Sequence, residues 1–174
     1  MMTLIQPKTE IELERYLRDV AKLRDAQEFE DALKACVQLI NDPAMRAAGL
    51  RARADIYADM GQRESEVADR DALARLDTQE PNDYFEFGIA LWRIGRTLEA
   101  VDAFKKAIEL GEQAGFNYYT NASRMHLAAV LVKLGRYEEA LRECGLIPDG
   151  YSSYLPGDGV TTKEQLLTRV TRSR

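Results

Sequence analysis

The sequence predicts an all-α chain built from repeated helical pairs. Three observations point there. Gly61 and Gly95 stand 34 residues apart, and each closes a similar stretch, Ile56-Tyr57-Ala58-Asp59-Met60-Gly61 against Ala90-Leu91-Trp92-Arg93-Ile94-Gly95. Between such turns, apolar residues recur at helical spacing, with capping residues ahead of them. No segment alternates apolar and polar residues over a length that would make a sheet strand.

The elements follow in order. Thr9 and Glu12 have capping-box spacing ahead of the stripe Ile11, Leu13, Tyr16, Leu17 and Val20. Thirty-four residues before Gly61 lies Gln27, in a turn leading to Ala32, Cys36 and Leu39. Asp42-Pro43 is an N-cap followed by proline at the first helical position. Leu50, Ala54 and Tyr57 supply the next stripe, and Pro81 closes that unit. Gly88 and Ala128 fall mid-helix, where a small side chain lets a second helix approach closely. Gly135 follows Gly95 by 40 residues, so six residues are inserted between the third and fourth units. From Gly145 to Gly159 four glycines and two prolines predict a loop. Thr161-Thr162-Lys163-Glu164 is a second capping box, and Leu166, Leu167 and Val170 form one face of a short helix.

This pattern resembles the tetratricopeptide repeat, a helix-turn-helix unit of 34 residues. The third unit carries the resemblance most clearly: Tyr84, Phe87, Gly88 and Leu91 in its first helix, Ala100, Phe104 and Ala107 in its second. Leu127, Ala128, Leu131, Ala140, Cys144 and Ile147 take those slots in the fourth unit, and Tyr16, Val20, Leu23, Ala32, Cys36 and Leu39 in the first. The second unit offers Leu50, Ala54 and Tyr57 and then departs, with Glu66 and Arg70 where alanine and phenylalanine belong. A one-residue slip there would bring Ser65 and Ala72 closer to pattern. The resemblance implies a right-handed α-solenoid of four pairs, about 10–42, 43–79, 81–114 and 116–148, within a body of residues 1–148. Residues 149–174 are expected as a Gly/Pro-rich loop and a C-terminal helix.

In this architecture the first helices line a concave groove. Carried onto this chain, its slots hold Leu17, Ala21 and Arg24, then Arg51, Asp55, Ala58 and Asp59, then Phe85, Ile89, Trp92 and Arg93, then Met125, Ala129, Val132 and Lys133. The lysine/asparagine clamp with which some family members bind chaperone carboxylates is absent, since Leu17, Ala21 and Ala52 occupy its positions. The third unit's first helix is apolar on nearly every side, so something must cover Phe85, Ile89 and Trp92. A partner protein, a second copy in a homodimer, or the chain's own tail through Tyr151, Tyr154, Leu155 or Leu166 would each serve. So would burial of Phe85 by a fourth-unit first helix lengthened by the insertion.

Composition excludes other classes. The chain has 174 residues, 45% apolar and 30% charged, as in ordinary folded domains. A net charge of −5 argues against non-specific nucleic-acid binding. No apolar run reaches membrane-spanning length and the first residues lack an apolar leader segment, so a cytoplasmic, membrane-free protein is expected. Residues 158–174 carry four basic and two acidic groups, a net +2 that leaves −7 on the body. His126 is the sole histidine and is placed at a partly exposed structural slot. Cys36 and Cys144 fall at the Phe104 slot and are expected as buried small hydrophobes. Gly157-Asp158-Gly159-Val160-Thr161-Thr162-Lys163 lacks phosphate-loop spacing and follows no strand. No catalytic residue, metal site or cofactor is therefore expected.

The expected function is non-catalytic recognition of a protein or peptide, by an adaptor or small chaperone. Size and acidity are similar to the small tetratricopeptide chaperones of bacterial secretion systems. The alternative is an acidic inhibitor or immunity-type protein that blocks one enzyme or toxin.

Overall fold

The computed structural model describes residues 6–115 and 117–172, and of Asn117 the backbone alone. Residues 1–5, where a leader was sought, and residue 116, where the fourth unit was expected to open, lie outside the described residues. The chain divides into two compact units, residues 1–78 and 79–174.

The first unit holds two helical pairs. They are α1 (Glu10–Asp25) with α2 (Phe29–Ile40), and α3 (Arg46–Asp59) with α4 (Arg63–Ala74). The Thr9 hydroxyl accepts from the Glu12 backbone N–H and the Glu12 carboxylate accepts from the Thr9 backbone N–H, so the capping box is complete. The core joins Tyr16 and Val20 of α1 to Ala32, Ala35, Cys36 and Leu39 of α2 and Ile56 of α3. The Tyr16 hydroxyl sits within hydrogen-bond distance of the Ala35 carbonyl (3.0 Å) and Gln38 Oε1 (2.9 Å).

The second unit holds α5 (Pro81–Arg93) with α6 (Thr97–Ala114), then α7 (Asn117–Lys133) with α8 (Tyr137–Gly145). It ends in β1 (Ser152–Leu155), β2 (Gly159–Thr162) and α9 (Lys163–Arg172). The inserted residues lengthen α6, which runs 18 residues against 12 for α2 and α4. A Cβ on Gly88 would lie 2.6 Å from the Phe104 ring, so the absent side chain sets how closely α5 and α6 approach.

All four pairs turn in the same way. Gln27, Gly61, Gly95 and Gly135 have φ of 60°, 70°, 80° and 72°, the left-handed conformation that reverses the chain after a helix. The next N–H reaches back five residues in each, from Glu28 to Leu23, Gln62 to Tyr57, Arg96 to Leu91 and Arg136 to Leu131.

The segment expected as a loop holds an antiparallel hairpin with Ser152 opposite Thr162 and Leu155 opposite Gly159. Each strand has only four residues, too short for alternation to stand out, and Pro156 and Gly157 form the turn rather than dispersing the segment. Leu155, Leu166 and Val170 are buried, with α9 against α7 and α8 and β1 against α7. Lys163 fastens the hairpin's end, donating to the Ile147 carbonyl (2.7 Å) and to Asp149 (2.6 Å).

Candidate partner-binding groove

Groove-side positions fare differently in the two units. In the first, α1 and α3 stand side by side and leave a cavity of about 250 Å³. Its walls are Leu17, Val20, Ala21, Ala48, Ala52 and Ile56, and Arg24, Arg51 and Asp55 bring charge to it. Short alanines rather than bulky side chains make the space. Arg24 lies 3.9 Å from Asp55 and 3.4 Å from Asp59, so Asp59, more than half exposed, belongs to the rim. Asp55 also receives Arg70 Nη2 at 2.6 Å. The site is thus an apolar slot edged by paired charges of both signs. Sequence reasoning placed Leu17, Ala21, Arg24, Arg51, Asp55 and Asp59 here but missed Ala48 as a wall, although it lies one turn before the others on α3.

In the second unit the same positions are filled, and five expected groove residues are not exposed. Phe85, Ile89, Trp92, Met125 and Ala129 are buried within the unit. Helix α7 lies against α5 and supplies the cover. The His126 ring meets Phe85 at 5.0 Å and Trp92 at 6.0 Å between centroids, both edge-on, and Phe104 at 5.5 Å. Tyr119 packs on Phe85, and the Lys133 ammonium stands 4.8 Å above the Trp92 ring. Arg93 and Lys133 remain at the surface.

His126 corrects an expectation as well. It is 1% exposed, not partly exposed, because its neighbours at that face are large rings. Nδ1 lies 2.8 Å from the Ala122 carbonyl, and burial pushes the imidazole down to about 4, so it is neutral at pH 7. Such a ring presents no base to solvent. Both cysteines are buried, and burial raises the Cys36 thiol to about 12 and the Cys144 thiol to about 11. Among the described residues no group of three or more His, Cys, Asp or Glu is placed to hold a metal ion, and no helix is long and apolar enough to cross a membrane.

The third pair matches a known repeat. Residues 84–113 match the model of the tetratricopeptide repeat. The other three pairs share the turn and the helix-turn-helix form of that matched pair. Solved structures agree on the fold. The chain is similar to MamA, at 20% identity over 76% of this chain and 69% of that one, with a TM-score of 0.63. It is similar to PcrH from Pseudomonas aeruginosa, at 19% identity over 74% of this chain and 98% of that one, TM-score 0.62. Nearly identical TPR-like repeats from Podosopora anserina match at 16% identity over 80% of this chain and 75% of theirs, TM-score 0.64. No curated protein sequence matches the chain significantly. The repeat family is that of protein-interaction modules.

Proposed function

We propose that this chain is a cytoplasmic adaptor whose first unit takes a segment of a partner protein into the slot between α1 and α3. One observation carries the reading. The slots that unit two fills with its own rings are left as a cavity of about 250 Å³ in unit one, walled by apolar side chains. That volume suits one or two aliphatic side chains of a docked segment, and the rim charges Arg24, Arg51 and Asp59 suit polar groups beside them. The test is selection from a displayed peptide library on the full chain, followed by the cavity-filling variant Ala21→Trp. Enriched peptides are expected to share an aliphatic anchor and to lose at least tenfold in affinity against Ala21→Trp. Peptides that bind the variant unchanged, or that share no apolar position, overturn the reading. Ala129→Trp, at the equivalent but filled position, should impair folding instead of binding.

A further inference from the structure

The slot in the first unit has two unlike ends. Along α1 its lining begins at Leu17 and finishes at Arg24, and along α3 it begins at Ala48 and finishes at Asp55 and Ile56. One end is therefore apolar, and the other carries a guanidinium from one helix and a carboxylate from the other. Arg24 reaches across to α3, with Nε 3.4 Å from Asp59 and Nη1 3.9 Å from Asp55. A side chain rooted on α1 and ion-paired to two carboxylates of α3 must span the cleft between those helices. Asp55 and Asp59 stand one turn apart on one face of α3, so they draw the guanidinium in the same direction. Asp55 is itself fixed, since Arg70 of α4 donates to its other oxygen at 2.6 Å.

Charge holds this span. Both distances to α3 exceed the usual range of a hydrogen bond, and Nε makes no hydrogen bond although it is buried. On its own helix Arg24 Nη2 lies 3.4 Å from Asp25. The arginine stem lies along the apolar lining while its charged head rests at the far side, and together they form a wall. We propose that Arg24, drawn over the cleft by Asp55 and Asp59, closes one end of the slot and so sets the size of the side chain that the slot accepts. This rests on the reading of the slot as a docking site and adds the residue that decides what docks. With the wall in place, leucine, isoleucine or methionine fills the space. Without it the slot runs on, and a phenylalanine or tryptophan ring enters. A larger anchor on the parent chain has to displace the arginine and break both ion pairs, which is discrimination by exclusion.

The test selects peptides from a displayed random library on the full parent chain and, in parallel, on Arg24→Ala, Arg24→Met and Asp59→Asn. Parent peptides are expected to carry an aliphatic anchor, and Arg24→Ala peptides a phenylalanine or tryptophan in its place. Exchanging leucine for phenylalanine in a parent-selected peptide should cost about tenfold in affinity on the parent and raise affinity on Arg24→Ala. Arg24→Met should shift in the same sense, because no charge draws its stem to α3, and Asp59→Asn should follow to a smaller extent. Circular dichroism should be unchanged in all three, since Arg24 is only half-buried, Asp59 is exposed and Asp55 keeps Arg70. The proposal is overturned if Arg24→Ala selects the parent's anchors. It is overturned too if Arg24→Met keeps the parent's preference, which would make bulk and not the ion pairs the determinant. Both of those outcomes leave the docking site standing. Parent peptides that Ala21→Trp fails to weaken would remove the docking site, and this inference with it.

Discussion

At the scale of single residues, two positions hold conformations or charge states that their chemistry resists. Gln27 adopts φ 60° where the three equivalent turns have glycine. A side chain in that region costs roughly 1–2 kcal/mol through the clash of Cβ with the backbone. Gln27→Gly should therefore stabilise the chain by about 0.5–1 kcal/mol, with part of the relief lost to the greater freedom of glycine when unfolded. Urea midpoints compare the two, and a lower midpoint for the glycine variant would show that the Gln27 side chain supplies a compensating contact. His126 resists protonation, its pKa falling from 6.5 to about 4 through burial among Phe85, Trp92 and Phe104. Between those values the unfolded chain binds a proton that the folded chain does not, so acid favours unfolding. The stability this residue confers is complete above pH 6.5 and falls as pH drops towards 4, by about 3 kcal/mol over that range. Unfolding free energies at pH 7 and pH 5 should thus differ more in the parent than in His126→Gln. Equal differences would mean that the ring is protonated inside the fold.

At the scale of elements, α4 shows what the repeat demands and what it merely prefers. Glu66, Arg70 and Leu73 occupy the positions held by Ala100, Phe104 and Ala107 in α6, and all three are buried. The one-residue slip that would favour Ser65 and Ala72 does not occur; both stay partly exposed. Register was legible because the turn fixes it: the inward positions follow Gly61 at the same spacing as they follow Gly95. Packing was not legible, because it rests on ion pairs, two of the three named next joining residues 15 and 16 positions apart. Arg53 binds Asp69 through two hydrogen bonds of 2.7 Å, Arg70 reaches Asp55, and Arg63 reaches Glu66. A bidentate pair with one partner buried is costly to break and cheap to replace. Arg53→Met alone should cost about 2–4 kcal/mol by leaving the Asp69 carboxylate without its fork. The double variant Arg53→Met with Asp69→Leu should recover most of that loss in a thermodynamic cycle. A double variant as weak as the single one would show that the pair contributes more than its own neutralisation.

At the scale of the whole chain, the four repeats were legible from turn spacing, while the fate of the groove was not. Trp92 carries a groove slot in the sequence, yet whether such a slot is empty depends on the bulk opposite it, and His126 fills the space that its counterpart Ala52 leaves open in the first unit. The tail was legible as a capped helix but not as a cover, because Leu155 and Leu166 give no sign of what they meet. That cover has a measurable consequence at Cys144. Helix α9 packs on α8, and Lys163 is near enough to the Cys144 thiol to act on its charge, while burial keeps the thiol at about 11. A chain ending at Pro148 loses the hairpin and α9, with the hydrogen bonds from Lys163 to Ile147 and from Gly150 to Glu164. Cys144 should then titrate nearer the ordinary thiol value of about 8.5 and react with a disulfide reagent at pH 8 far faster than in the full chain. Cys36 lies in the first unit, enclosed by α1, α2 and α3, and should stay as slow as before. One thiol per chain labels quickly on this account, and Cys144→Ala in the shortened chain removes the fast phase. Slow labelling of both thiols would mean that α7 alone shields Cys144, and fast labelling of both would mean that the tail holds the entire chain folded rather than covering one helix.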